Sequence, residues 1–100
     1  MSRRNEEVAT LLENIAELLA AKEDDPYRIR AYEEAARSIS TTAEDIEALH
    51  RAGRLQDLPR VGESIAAKVA EYLDTGSSAY YEELKRQIPA RTGSPSTGPT

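Results

Sequence analysis

Apolar residues recur every three or four positions along most of the chain, which is the period of an amphipathic α-helix. The first such stretch covers about residues 5–22, with an apolar face of Val8, Leu11, Leu12, Ile15, Leu18 and Leu19. We expect Asn5 to cap this helix. A second helix is predicted from Pro26 to about residue 40, because Asp25 followed by Pro is a common helix start.

In the second half of the chain, apolar residues recur with the same helical period over shorter stretches. A third helix is predicted over residues 43–52, opening at a capping-box-like Thr42 and ending at Gly53. Two more are predicted over about residues 62–74 and 78–87. The predicted fold is therefore all-α, a compact bundle of about five short helices.

Length and composition narrow the class of protein. A chain of 100 residues forms one domain at most, here assigned to residues 1–89, and residues 90–100 have the composition of a disordered tail or linker remnant. The absence of Cys, with a single His, excludes a disulfide framework and a thiolate metal site. No apolar run approaches the roughly 18 residues of a membrane span, so we expect no membrane partner and a cytoplasmic location.

The formal net charge of −5 disfavours binding to a polyanion when the chain is taken as a whole. The charges are unevenly distributed, however. Residues 1–25 carry a net charge of −4, whereas residues 26–43 carry +1 and residues 48–70 carry +2. Positive charge is therefore expected around the second helix and around the turn that precedes the fourth.

That turn has its own pattern. The segment LQDLPRVGESIAAKVAEYL, residues 55–73, combines a short turn, a tight Pro59-Arg60-Val61-Gly62 hairpin and a helix. A helix that opens directly after such a hairpin points backbone N–H groups outward, and these can hold a phosphate without contacting a base. A plain connection between two helices is the competing interpretation, and spacing alone leaves both open.

Three sequence blocks extend the pattern over most of the chain: IAELLAAKEDDPYRIRAYEEAARSI (15–39), LPRVGESIAAKVAEYLDTG (58–76) and YEELKRQIP (81–89). Together they resemble the N-terminal helix-hairpin-helix domain of family X DNA polymerases, particularly bacterial and archaeal ones, as a stand-alone or truncated chain. The resemblance implies non-sequence-specific binding to the backbone of gapped, nicked or 5′-phosphate-bearing DNA in repair. It also implies association with the nucleoid, and we expect no polymerase activity from these residues.

The resemblance assigns roles to backbone groups of the hairpin. It implies a monovalent cation, K⁺ or Na⁺, held by three carbonyls: those of Gln56, Leu58 and Val61. It also implies phosphate-facing N–H groups near three residues: Gly62, Glu63 and Ser64. No other cofactor is expected.

Four side chains are expected at the DNA: Arg28, Tyr32, Arg60 and Lys68. Arg28 and Tyr32 match positions that bind a 5′-phosphate in members with lyase activity. Tyr32 also suits the apolar face of its helix, so a half-buried core position is the competing interpretation. Arg60 replaces the first Gly of the usual Pro-Gly-Val/Ile-Gly hairpin, and a positive φ there would cost on the order of 1 kcal/mol.

Lys68 carries the alternative function, a 5′-deoxyribose-phosphate or abasic-site lyase. It matches the lysine whose uncharged amine attacks the sugar aldehyde, forms a Schiff base and promotes β-elimination. A surface lysine whose stem covers the edge of an apolar face is the competing interpretation. Ser64, Tyr80 and Glu34 stand where lyase-competent members tend to have basic residues. We expect Tyr81 to anchor the last helix and Tyr80 to be exposed.

The acidic surplus keeps a third function open, a protein-interaction adaptor on the same scaffold. The acidic faces of the first and third helices would then dock a basic partner, and a polymerase or another repair protein is the partner expected. Helical spacing also predicts ion pairs Arg30–Glu34 and Glu33–Arg37 on the second helix. These pairs would engage two arginines that otherwise could contact phosphate.

Overall fold

The computed structural model describes residues 3–88, and this part of the chain is all-α, as predicted. Its five α-helices are α1 (Arg3–Ala21), α2 (Pro26–Thr41), α3 (Ile46–Arg51), α4 (Glu63–Thr75) and α5 (Ala79–Gln87). A short 3-10 helix, Leu55–Asp57, follows α3. The predicted tail lies outside the described residues, and no helix among those described is long and apolar enough to cross a membrane.

The core is built around the contact between α1 and α2. The apolar face predicted for α1 is buried most completely at Leu12, Ile15 and Leu19. On α2, Ala35 and Ala36 are buried opposite, and their small side chains let the two helices approach closely. Val69 of α4 and Leu84 of α5 join the same core, so these helices share one core with α1 and α2.

Asn5 does not cap α1, contrary to the sequence prediction. The helix begins at Arg3, and Asn5 lies inside it with only 5% of its surface exposed. Its Oδ1 accepts the backbone N–H of Ile46 at 2.9 Å, and its Nδ2 donates to the carbonyls of Ile39 and Glu44 at 3.3 and 2.8 Å. Asn5 therefore holds the connection between α2 and α3 against α1.

The third helix is shorter than predicted. It begins at Ile46 instead of residue 43, because the Asp45 side chain accepts a backbone N–H of the first turn at 3.0 Å and caps the helix there. Thr42 caps only a local turn, in which its hydroxyl accepts the N–H of Glu44 at 3.1 Å. The capping-box prediction was therefore wrong by one turn of helix.

Glycine ends α3 as predicted. Gly53 has a φ of +69°, which a side chain with a Cβ adopts only with strain. Its N–H donates to the His50 carbonyl at 3.0 Å, and the Arg54 N–H donates to the Leu49 carbonyl at 2.8 Å. This pair of bonds is the Schellman motif. It turns the chain sharply into the 3-10 helix and the hairpin.

Candidate nucleic-acid interface

The hairpin, residues 58–62, is held to the core by its apolar positions. Leu58 and Val61 are buried, and the Val61 N–H donates to the Leu58 carbonyl at 3.2 Å. Arg60 lies at the exposed tip with a φ of +68°. The structure thus confirms that the position of the usual hairpin Gly requires a positive φ, which costs a residue with a Cβ about 1–2 kcal/mol.

The first turn of α4 leaves its backbone donors open. Gly62 is the N-cap, with extended backbone at φ −82° and no side-chain cap, and its carbonyl accepts the first helical bond from Ala66 at 2.8 Å. The N–H groups of Glu63, Ser64 and Ile65 make no hydrogen bond to any described residue. A Cβ at Gly62 would meet nothing within 4 Å, so the fold itself does not require glycine there.

One cavity of about 600 Å³ gathers every side chain and N–H position predicted to face DNA. Its lining includes Arg28, Tyr32, Arg60, Gly62, Glu63, Ser64 and Lys68. The cavity is lined by residues of α2, by the hairpin and the start of α4, and by Tyr80 of α5. Residues far apart in sequence thus form one site, while their role in DNA binding stays a prediction.

Lys68 has a defined position in this cavity. Its Nζ donates to Ser64 Oγ at 3.1 Å and lies 4.7 Å from the centroid of the Tyr80 ring. Tyr80 in turn stacks on Tyr32, with ring centroids 6.1 Å apart and an interplanar angle of 16°. Tyr80 is therefore half-buried, whereas an exposed ring was expected from the sequence.

Tyr32 belongs to the core more fully than predicted, with 4% of its surface exposed. Burial raises the pKa of its phenol well above the ordinary value, and the adjacent Tyr80 adds to the shift. Tyr32 therefore stays neutral. Its stacked face is already occupied by Tyr80, which favours a supporting position behind the cavity over a platform for a base.

Arg28 and Arg60 each lie near a carboxylate. The Arg28 Nε is 3.5 Å from Asp24 Oδ1, and its interactions with Tyr80 and with this carboxylate raise the pKa of the guanidinium above its ordinary value. Arg60 is 3.7 Å from Glu34, with 67% of its side chain exposed. Exposed pairs of this kind contribute roughly 0–1 kcal/mol, so a phosphate can compete for either arginine.

The ion pairs predicted along α2 are wrong. Glu34 faces Arg60 of the hairpin instead of Arg30, and neither Arg30 nor Arg37 forms an ion pair with any described residue. The partner of Glu34 depends on where the hairpin packs, and the spacing of residues along one helix carries no information about that.

The cavity carries a modest positive charge. Among the described residues, Arg28, Arg60 and Lys68 line it together with the acidic Asp25 and Glu63. The cations outnumber the carboxylates, and the open end of α4 adds the positive end of its helix dipole. The site can therefore attract an anion locally in a chain of net charge −5.

Sequence reasoning missed one residue of this site, Tyr27. It has 84% of its surface exposed at the rim of the cavity, beside Arg28. The signal was available, because Tyr27 stands outside the apolar face that Ile29 and Tyr32 define on α2. An exposed aromatic ring at the rim of a cavity proposed to hold a phosphate offers a surface on which a base can stack.

The three backbone carbonyl oxygens predicted to bind a cation are largely free of hydrogen bonds. The carbonyls of Gln56 and Val61 accept no hydrogen bond from the described residues, and the Leu58 carbonyl accepts one, from Val61. Neutral carbonyl oxygens are the ligands that replace the hydration shell of K⁺. The described residues contain no cluster of His, Cys, Asp or Glu that could hold a metal ion.

Comparison with known proteins agrees with this geometry. The helix-hairpin-helix domain family matches residues 3–78. The chain is also 28% identical, over 83% of its length, to the "DNA polymerase/3'-5' exonuclease PolX" of Bacillus subtilis (strain 168), and it spans 14% of the length of that relative. Both matches confirm the resemblance seen in the sequence and support a DNA-binding role in general. The chain belongs to the helix-hairpin-helix domain family.

Proposed function

We propose that this protein binds the sugar–phosphate backbone of DNA at gaps, nicks or 5′-phosphate ends, without base specificity. The observation that carries the proposal is the uncapped start of α4, which opens into a cavity that also holds Arg28, Arg60 and Lys68. Backbone N–H groups and basic side chains contact phosphates without conveying sequence information. A terminal phosphate carries more charge than an internal one, which favours an end or a gap.

In this arrangement the phosphate accepts hydrogen bonds from the N–H groups of Glu63 and Ser64, while Arg28 of α2 and Arg60 of the hairpin supply positive charge in the same cavity. The Glu63 carboxylate repels the same phosphate, and the net charge of the chain adds to that repulsion. We therefore expect weak binding. With two or three phosphates neutralised in this cavity, its contribution to the slope of log K against log salt should be about −2 to −3.

We further propose that K⁺ or Na⁺ binds the carbonyls of Gln56, Leu58 and Val61. Two of these oxygens are free of hydrogen bonds from the described residues, and all three belong to the hairpin or to the turn before it. A bound cation would supply positive charge to the DNA phosphate next to the hairpin. The Leu58 and Val61 side chains are buried in the core, which holds their carbonyls in place.

Fluorescence anisotropy tests the proposed function directly. The probe is a labelled one-nucleotide gapped duplex with a 5′-phosphate, compared with the intact duplex of the same sequence. Wild-type protein should prefer the gap, and a double variant, Arg60→Glu with Lys68→Ala, should lose binding. Equal binding to both duplexes, or none at low salt, would refute the proposal.

The position of Lys68 favours one second candidate, a 5′-deoxyribose-phosphate lyase. Its amine lies in the same cavity and is held by Ser64 and the Tyr80 ring. In the reaction Nζ adds to the C1′ aldehyde and water leaves, giving an imine; loss of a C2′ proton then breaks the C3′–O bond. Borohydride would trap wild-type protein on abasic DNA, and a Lys68→Ala protein would not be trapped. No adduct with the wild type would exclude the lyase.

A further inference from the structure

A second groove, of about 690 Å³, adjoins the first cavity at the hairpin. It runs between Pro59 of the hairpin and the outer positions of α2 from Arg30 to Thr41. Arg60 lines both spaces, so a ligand that fills the first cavity can continue into the second. The groove contains none of the residues assigned above to the phosphate except Arg60.

Two arginines give this groove its chemistry. Arg30 and Arg37 line it, and neither forms an ion pair with a described residue. They are seven residues apart on α2, which places them two turns or about 10.5 Å apart along the helix axis. Two unpaired guanidinium groups on one helix face can follow an extended, repeating anion, and arginine is the residue best suited to phosphate contacts.

The acidic residues of the groove weaken this charge but do not cancel it. Glu34 is engaged by Arg60 at 3.7 Å, and Glu33 is the other carboxylate in the lining. Three arginines thus face two glutamates among the described residues of the groove. Thr41 and Thr42 add hydroxyl groups at its far end, and hydroxyl groups also contact phosphates.

We infer that this groove binds the backbone of the second, continuous strand of a gapped or nicked DNA. The inference rests on the proposed function, since it requires the hairpin to hold the 5′-phosphate strand. Shared use of Arg60 favours a DNA substrate over an acidic protein segment, because one molecule then satisfies both cavities. The hairpin would lie between two strands, and a blunt end would occupy the first cavity alone.

The test compares two substrates with three proteins. One substrate is the one-nucleotide gapped duplex with a 5′-phosphate, and the other is its isolated downstream duplex, blunt and with the same 5′-phosphate. The proteins are the wild type, an Arg30→Gln, Arg37→Gln variant, and an Arg51→Gln, Arg86→Gln control. Arg51 and Arg86 line neither space, so the control removes the same charge elsewhere.

On gapped DNA, the Arg30/Arg37 variant should bind about tenfold more weakly, with a salt slope shallower by about 1.8, which is the loss of two phosphate contacts. On the downstream duplex it should bind like the wild type. If the Arg30/Arg37 variant bound gapped DNA as tightly as the wild type, or if the control lost as much affinity, the inference would be overturned. An acidic protein segment would then be the ligand to test for the groove. Failure of the wild type to bind either DNA at low salt would instead refute the proposed function, and the inference with it.

Discussion

The side chain of Asn5 in α1 accepts the backbone N–H of Ile46 at 2.9 Å, joining residues 41 positions apart. The same amide donates to the carbonyl of Ile39 in the last turn of α2 and to the carbonyl of Glu44 in the α2–α3 connection. An asparagine that would suit a helix start is used here to satisfy three backbone groups, in two buried hydrogen bonds and one partly buried one. This contact fixes where α3 begins, and α3 leads the chain into the hairpin.

Replacing Asn5 by Ala should lower the free energy of unfolding by about 2–4 kcal/mol, because it leaves buried backbone groups unsatisfied. Urea unfolding followed by circular dichroism measures the change. Asn14→Ala is the matched control, since it removes an amide from the same helix and should cost less than about 1 kcal/mol. Equal effects of the two substitutions would show that Asn5 does not hold the connection.

Arg60→Gly should raise the free energy of unfolding by up to about 1 kcal/mol, because glycine relieves the positive φ at the hairpin tip. Arg60→Ala separates this effect from loss of the side chain, since alanine keeps the strain. Thermal denaturation should therefore rank the glycine variant above the alanine variant. The opposite ranking would mean that the hairpin does not hold this residue in the left-handed region.

Gly62→Ala should leave stability within about 0.5 kcal/mol of the wild type, because φ is −82° and a Cβ meets open space. It should nevertheless weaken binding to gapped DNA at least fivefold, since the Cβ stands where a phosphate approaches the backbone. Gly53→Ala is the control with the opposite expectation, a change in stability without a change in affinity. It should destabilise the fold by about 1 kcal/mol at its φ of +69° and leave the intrinsic affinity unchanged.

Burial of Tyr32 predicts a loss of stability at high pH. The pKa of the Tyr32 phenol is raised in the folded state. Its contribution to the free energy of unfolding is therefore complete below the ordinary tyrosine pKa of about 10 and is lost as the pH rises above that value. Urea unfolding at about pH 9 and pH 11 measures the slope. Tyr32→Phe removes the ionisation and should make the slope shallower, whereas an unchanged slope would contradict the assignment.

Local patterns predicted much of this fold. The helical period located all five helices, and the Asp25-Pro26 and Gly53 signals marked a start and a stop that the structure confirms. The helix-hairpin-helix resemblance even indicated which side chains would share one cavity. These features depend on residues close in sequence, or on a family pattern that already contains the tertiary arrangement.

The misplaced features depend on packing between distant elements. Asn5 was expected at a helix end because its buried partners, more than 30 residues away, leave no local signal. Glu34 was paired with Arg30 for the same reason, although the hairpin brings Arg60 to it. Tyr80 was expected to be exposed, since its stacking on Tyr32 appears only when α5 packs against α2.

The central claim is that the open start of α4 and its flanking cations hold a DNA phosphate. The most direct measurement is the affinity of the wild-type protein for one-nucleotide gapped DNA with either a 5′-phosphate or a 5′-hydroxyl at the gap. We predict at least fivefold tighter binding to the 5′-phosphate, and a difference that Gly62→Ala abolishes. Equal affinities for the two DNAs, in the wild type at low salt, would contradict the claim.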